Sequence, residues 1–226
     1  AEFVDLPGTY SLYPTSLDER VACEVLCNPD NTDHPDVTVI IADASNLKRN
    51  LFLVSQIIDL KIPVILALNM MDMLEKEGVV IDTVRLSERL GVKVIAISAR
   101  NREGLEELKK SLLEPLQIPP YDFIDVKKIA GEAIERVKSV VTVNSDFAAF
   151  HTVNTIKHID VFDKKKEHYN RIVDTLNTLI IDETRLQSVE SVERYKVINR
   201  IVDECLTKQS ATQTKSFTQK LDSILT

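Results

Sequence analysis

Glycine is scarce in this chain of 226 residues: there are five, at positions 8, 78, 91, 104 and 131. No two of them fit the spacing Gly-x-x-x-x-Gly-Lys-Ser/Thr of a loop that cradles phosphates. Each Lys-Ser pair, at 110–111, 138–139 and 215–216, lacks the glycine ahead of it. Gly-x-Gly-x-x-Gly and Gly-x-Ser-x-Gly are absent too, which removes the dinucleotide-binding turn and the hydrolase nucleophile elbow. Cysteine is rare and odd in number, Cys23, Cys27 and Cys205, which excludes a disulfide framework and a paired-cysteine metal site. The thiols are expected to be small core residues. The four histidines, 34, 151, 158 and 168, have no ligand spacing. Positive charge is outnumbered, 28 Lys and Arg against 35 Asp and Glu, for a net charge of -7 and a pI near 5.2. That balance disfavours nucleic acid and anionic lipid as partners, and the triplet Lys164–Lys166 reads as a solvated helix face. No run approaches the roughly 18 unbroken apolar residues of a membrane span, and no basic-then-apolar leader occurs, so the chain is expected to be soluble.

What is present is a core, 44% of the residues being hydrophobic, distributed in two styles. In the first half, "VTVIIAD" (37–43), "PVILALN" (63–69) and "VKVIAIS" (92–98) are β-branched, apolar almost throughout and bounded by turn residues, the pattern of strands buried on both faces. The stretches 47–60 and 82–91 between them have helical spacing, the second stopping at Gly91 as a C-terminal cap, and 101–116 reads as a further helix ended by Pro115. Alternation of this kind predicts a parallel, doubly wound α/β sheet with helices on both sides. At "QIPPYDF" (117–123) the pattern changes. Beyond it lie helical stretches at about 125–141, 146–160, 163–181, 188–208 and 215–225. The expected domains are therefore 1–118, α/β, and 119–226, all-α.

In such sheets ligands sit beyond the carboxyl ends of the strands, so those ends are the candidate site. They read Asp5-Leu6-Pro7-Gly8 after a short strand ending at Val4, Asp43-Ala44-Ser45, Asn69-Met70-Met71-Asp72, and Ser98-Ala99-Arg100. An Asp carboxylate accepts two hydrogen bonds from the N1-H and 2-amino group of guanine, a donor pair that adenine lacks. Leaving such a group unpaired costs about 1–3 kcal/mol, enough to reject adenine by one to two decades. Asn-x-x-Asp alone is common as a turn; followed 29 residues later by a strand ending in Ser-Ala, where a backbone N–H can reach the guanine O6, it is far more specific. Asp5 suits Mg²⁺ held through a water, and Gly8 lets its N–H approach a γ-phosphate. A proline-glycine turn capped by Asp is the plain alternative for an isolated Asp5–Gly8. Its place ahead of the other two motifs favours the phosphate reading.

Together these segments, "VDLPGTYSL", "ADASNLKRNLFL", "IPVILALNMMD" and "ISARNREG", resemble the GTPase domain of the bacterial ferrous iron transport protein B family. The double Met of "NMMD" is similar to that family in particular. The resemblance is strong to residue 114 and continues loosely to "FTQKLDSILT" (217–226), which is similar to the stretch ahead of the first membrane helix. It implies a P-loop-GTPase-like sheet, truncated on its N-terminal side because the first strand, phosphate loop, first helix and first switch lie outside the sequence, followed by a helical domain that stabilises bound GDP. It further implies GTP/GDP and Mg²⁺ as ligands, a C-terminal membrane domain as partner, and a place on the cytoplasmic face of the bacterial inner membrane. By the same resemblance Asn69, Met70, Met71 and Asp72 surround guanine, Ser98, Ala99 and Arg100 close over the base, and Asp5, Leu6, Pro7 and Gly8 face Mg²⁺ and the γ-phosphate. Residues 9–20 correspond to a mobile second switch. Thr9 stands where Ras-like enzymes place a water-orienting Gln, so hydrolysis is expected to be slow and no catalytic residue is assigned. Without the phosphate loop the chain alone is expected to be inactive. A sheet missing its central strand has open edges, which another copy of the chain would also fill, a route to a homo-oligomer.

Overall fold

The computed structural model describes residues 2–76, 78–119, 121–156 and 167–208. Among these, helices α1 (Leu17–Cys27), α2 (Leu47–Asp59), α3 (Met71–Lys76), α4 (Thr83–Leu90) and α5 (Leu105–Ser111) alternate with strands β1 (Thr38–Asp43), β2 (Val64–Asn69), β3 (Val79–Ile81) and β4 (Lys93–Ala96). Four more helices follow, α6 (Lys127–Val140), α7 (Asp146–Thr155), α8 (Glu167–Leu176) and α9 (Glu183–Cys205), and a last strand β5 (Leu206–Lys208).

The three strands read from the apolar runs form the parallel sheet, in the order β1-β2-β4, with Thr38 opposite Val64, Asp43 opposite Asn69, and Leu68 opposite Ala96. This register lines up the carboxyl ends of the strands on one edge. β2 is central and buried on both faces, as its unbroken Val-Ile-Leu-Ala-Leu demands. Leu66 and Leu68 face α2 and the later helices; Ile65 and Ala67 face Leu108, Leu112 and Leu116. α4 begins at Asp82, whose carboxylate accepts from the Arg85 N–H at 2.9 Å, and ends at Gly91 with φ +66°, the expected cap.

Several expectations need correction. No strand forms in residues 2–9: among the described residues β1 pairs with β2 alone, so a strand ending at Val4 has no neighbour to donate to, and Phe3 is 77% exposed. Residues 17–20, the end of the segment that corresponds to the second switch, open α1, a helix that the sequence reading does not anticipate, fixed by a capping box in which Ser16 and Glu19 exchange hydrogen bonds. Met71 and Asp72 begin α3 rather than lying in an open loop, and β3 pairs antiparallel with β5, more than 120 residues away in sequence. The helix expected at 188–208 starts earlier, at Glu183, with the Asp182 carboxylate as its cap, and stops at Cys205. The helix at 215–225, and the parts of the expected helices that fall in 157–166, lie outside the described residues.

The proline-rich turn does not divide the core. Leu51, Ile58, Phe123, Ile134, Phe150 and Ile198 belong to one buried cluster in which α2 packs on α7 and α9. A buried polar link crosses the same seam. Arg194 of α9, with no exposure, pairs with Asp59 of α2 at 2.9 Å and with Glu190 at 2.5 Å, its guanidinium 4.9 Å from the Phe147 ring centre. Burial, working against that guanidinium, pushes the Asp59 carboxyl up to about 6. The cysteines are free thiols packed in or against the core. Burial pushes Cys23 up to about 12 and Cys27 well above its ordinary value.

Candidate functional site

The carboxyl edge of the sheet gathers most of the anticipated residues. Asn69 ends β2, and its Oδ1 accepts from the Ala99 N–H at 3.0 Å; the Ser98 hydroxyl donates to Asp72 Oδ1 at 3.1 Å. Two local devices make this closure. Met70 takes the left-handed conformation, φ +66°, turning the chain sharply out of β2 so that Asp72 enters the first turn of α3 facing back toward β4. Beyond β4, Ser98 and Glu103 form an isolated antiparallel bridge, and Gly104 leaves it at φ +74°. A Cβ on Gly104 would lie 2.2 Å from the Ala96 carbonyl, so this turn admits no other residue without moving. Ser98 is 2% exposed and also accepts from the Asn101 N–H at 3.4 Å, so it is fixed from two sides.

Because its oxygen is taken by Ala99, Asn69 has its NH₂ group left to donate; because Oδ1 of Asp72 is taken by Ser98, Oδ2 is left to accept. One fixed donor and one fixed acceptor at the rim of a cleft form the complement of a ring that carries both kinds of group on one edge. The cleft beside them is open, about 590 Å³, and lined by Asp72, Lys76, Arg100, Asn101 and Glu103. Lys76, Asn101 and Glu103 escaped sequence reasoning, although Lys76 lies four residues after Asp72, the spacing that puts two side chains on one helix face. Ala99 and Arg100 are exposed, Met70 is 41% exposed and Met71 packs half-buried against the core.

At the other end of the edge, Asp43 closes β1 opposite Asn69. Although burial acts against it, hydrogen bonds from Ser45 and Asn46 hold its carboxyl below the usual range, which makes it a cap of the turn into α2. Asp5 and Gly8 are exposed while Leu6 and Pro7 are half-buried; a Cβ on Gly8 would meet nothing within 4 Å. Among the described residues no three His, Cys, Asp or Glu cluster as a metal site, and no helix is long and apolar enough to cross a membrane. Downstream, Tyr10 lies under the Arg49 guanidinium at 3.6 Å and Leu12 is fully buried.

A parallel α/β sheet whose carboxyl edge carries these loops, followed by a helical bundle, is the arrangement of a G domain with a helical extension. The family model described as ferrous iron transport protein B matches residues 1–112. The Fe(2+) transporter FeoB of Salmonella typhimurium is 46% identical over 113 residues, 48% of this chain and 14% of that protein. Among solved structures, the cytosolic domain of the T. maritima FeoB iron transporter in a GDP form aligns with a TM-score of 0.70 at 25% identity, over 90% of this chain and 78% of that one. A GDP-bound mutant of S. thermophilus NFeoB aligns with a TM-score of 0.62 at 30% identity, over 90% of this chain and 80% of that one. The chain belongs to the FeoB family, in the region of its N-terminal G domain. It spans about one seventh of the length of the curated transporters it matches.

Proposed function

We propose that this chain is the guanine-nucleotide-binding regulatory part of a bacterial ferrous iron transporter, in which GTP binding and slow hydrolysis are coupled to Fe²⁺ uptake through a membrane domain in the inner membrane. The observation that carries the reading is the closure of two loops, Asn69 on Ala99 and Ser98 on Asp72, which leaves the Asn69 amide to donate and the Asp72 carboxylate, on Oδ2 and the second lone pair of Oδ1, to accept from the guanine edge. Asp72 accepts from N1-H and the 2-amino group, and the backbone at 98–100 covers the base. Asp5 reaches Mg²⁺ through a water. A single exposed carboxylate suits an ion carried chiefly by phosphates and waters, and does not suit a protein cage. The open space over Gly8 is where a terminal phosphate approaches its N–H. The cradle for the α and β phosphates is not encoded in these 226 residues, so we assign it to chain outside them and expect weak binding by this stretch alone.

The test is calorimetry on the chain extended by its natural upstream residues. GDP should bind at least about tenfold more tightly than ADP. Equal affinity would end the guanine reading. The continuous core favours a second reading for residues 119–226, a helical module that transmits nucleotide state to the membrane core or a partner without catalysis of its own. Altered GDP release on replacing Arg194, with base preference kept, would support it.

A further inference from the structure

The residue that follows the Asp5–Gly8 loop most closely in the interior is Leu12, and its backbone is held from three directions. Its N–H donates to Gln56 Oε1 of α2 at 2.8 Å; its carbonyl accepts from His151 Nε2 of α7 at 2.6 Å and from the Cys23 thiol of α1 at 3.3 Å. The next residue, Tyr13, stacks on the His151 ring, centroids 6.0 Å apart and planes 17° apart. Phe147 lies tilted against the same ring at 6.5 Å, and Cys27 Sγ is 3.9 Å from Nε2. A carbonyl can only accept, so His151 Nε2 carries the proton. Burial holds the ring neutral by lowering its proton affinity, against the Leu12 carbonyl that raises it.

The consequence is a short lever. Leu12 lies four residues after Gly8, a reach of at most about 14 Å. A histidine more than 130 residues away thus fixes one end of a segment whose other end is the exposed loop. Gln56 and Cys23 belong to the half that carries the loop itself, whereas His151 belongs to the helices beyond residue 119. Ordinary packing would bury the Leu12 side chain and leave its carbonyl to water or a turn. Here polar groups of three helices, α1, α2 and α7, converge on the backbone of one residue.

We propose that His151 is a positioning residue for the phosphate-facing loop: through its Nε2–H bond to Leu12 and its stacking on Tyr13, the helical half sets where Asp5–Gly8 stands and so how long nucleotide is retained. The part that concerns nucleotide rests on the guanine reading above; the anchor itself does not. The test compares His151→Phe, which keeps ring volume without the donor, with His151→Gln, whose amide NH₂ reaches about as far as Nε2. Hydrogen exchange is read at the Leu12 amide and at the β2 amides, Val64–Asn69, in the whole chain. In H151F the Leu12 amide should exchange about tenfold faster or more while β2 is unchanged, and H151Q should return it to within about threefold of the parent. In the chain extended by its upstream residues, fluorescent GDP should dissociate faster from H151F than from the parent or H151Q. An unchanged Leu12 amide in H151F, or a rise of the same factor in β2, would overturn the proposal by making His151 a packing residue. Unaltered GDP release in H151F would overturn it as well. The exchange arm needs no nucleotide, so it decides the anchor even where GDP fails to bind, a result that would count against the guanine reading instead.

Discussion

Replacing Arg194 by Met exposes how the two halves are joined. Arg194, Asp59 and Glu190 are all without exposure, and Asp59 Oδ1 also accepts from the Phe123 N–H at 2.6 Å, tying the chain just past the proline turn to α2. With Arg194 in place the Asp59 carboxyl stands near 6 against an ordinary 3.8, a shift that at pH 7 corresponds to about 3 kcal/mol of burial not fully offset by the pairing. Without the guanidinium, the largest cause opposing burial is lost and the Asp59 carboxyl is pushed further up. Glu190 then loses its partner in the same dry site. Removing one member of a buried ion pair costs about 3–5 kcal/mol, so R194M should lower the melting temperature of a chain this size by about 6–20 °C. Removing all three charges in D59N/E190Q/R194M should recover most of that loss, because well-packed neutral groups of similar volume replace a buried ionic cluster at little net cost. Urea titration of both variants, read at the midpoint with the slope unchanged, measures this. A loss below about 1 kcal/mol in R194M, or a triple variant as unstable as the single, would refute the reasoning.

D72N should weaken GDP by tenfold or more and improve xanthosine diphosphate, whose C2 carbonyl accepts from the new amide; competition binding on the extended chain reads the exchange of preference. G104A should destabilise the 98–103 turn, since φ +74° and a 2.2 Å clash with the Ala96 carbonyl act together; faster amide exchange at Ala99, the hydrogen held by Asn69, is the readout. Asp59 and His151, both buried, act in opposite directions with pH. Asp59, raised when folded, contributes stability that is lost as pH climbs from about 4 through 6; D59N should flatten that fall in pH-dependent urea midpoints. His151, lowered when folded, contributes stability present above 6.5 and lost as pH falls below it; H151Q should remove that loss.

The sequence by itself determined the sheet and the rim of the candidate site. Runs such as "PVILALN" are too apolar to tolerate a solvent face, so β1, β2 and β4 followed from composition, and the parallel order put Asn69 and Ser98 on the same edge. The cap at Gly91 was equally local. The box Ser16–Glu19 that opens α1 is an equally local signal. Only the tertiary structure decided what joins the halves. Asp59 looks like any acidic residue near a helix end and Arg194 like any basic residue in a charged helix; nothing in either neighbourhood says that α9 lies across α2 with both buried. The β3–β5 pair and the grip of His151 on Leu12 share that invisibility. Each joins residues more than 120 apart, and a side chain's local pattern records which face it prefers, whereas the partner across the core is chosen by how the whole chain packs.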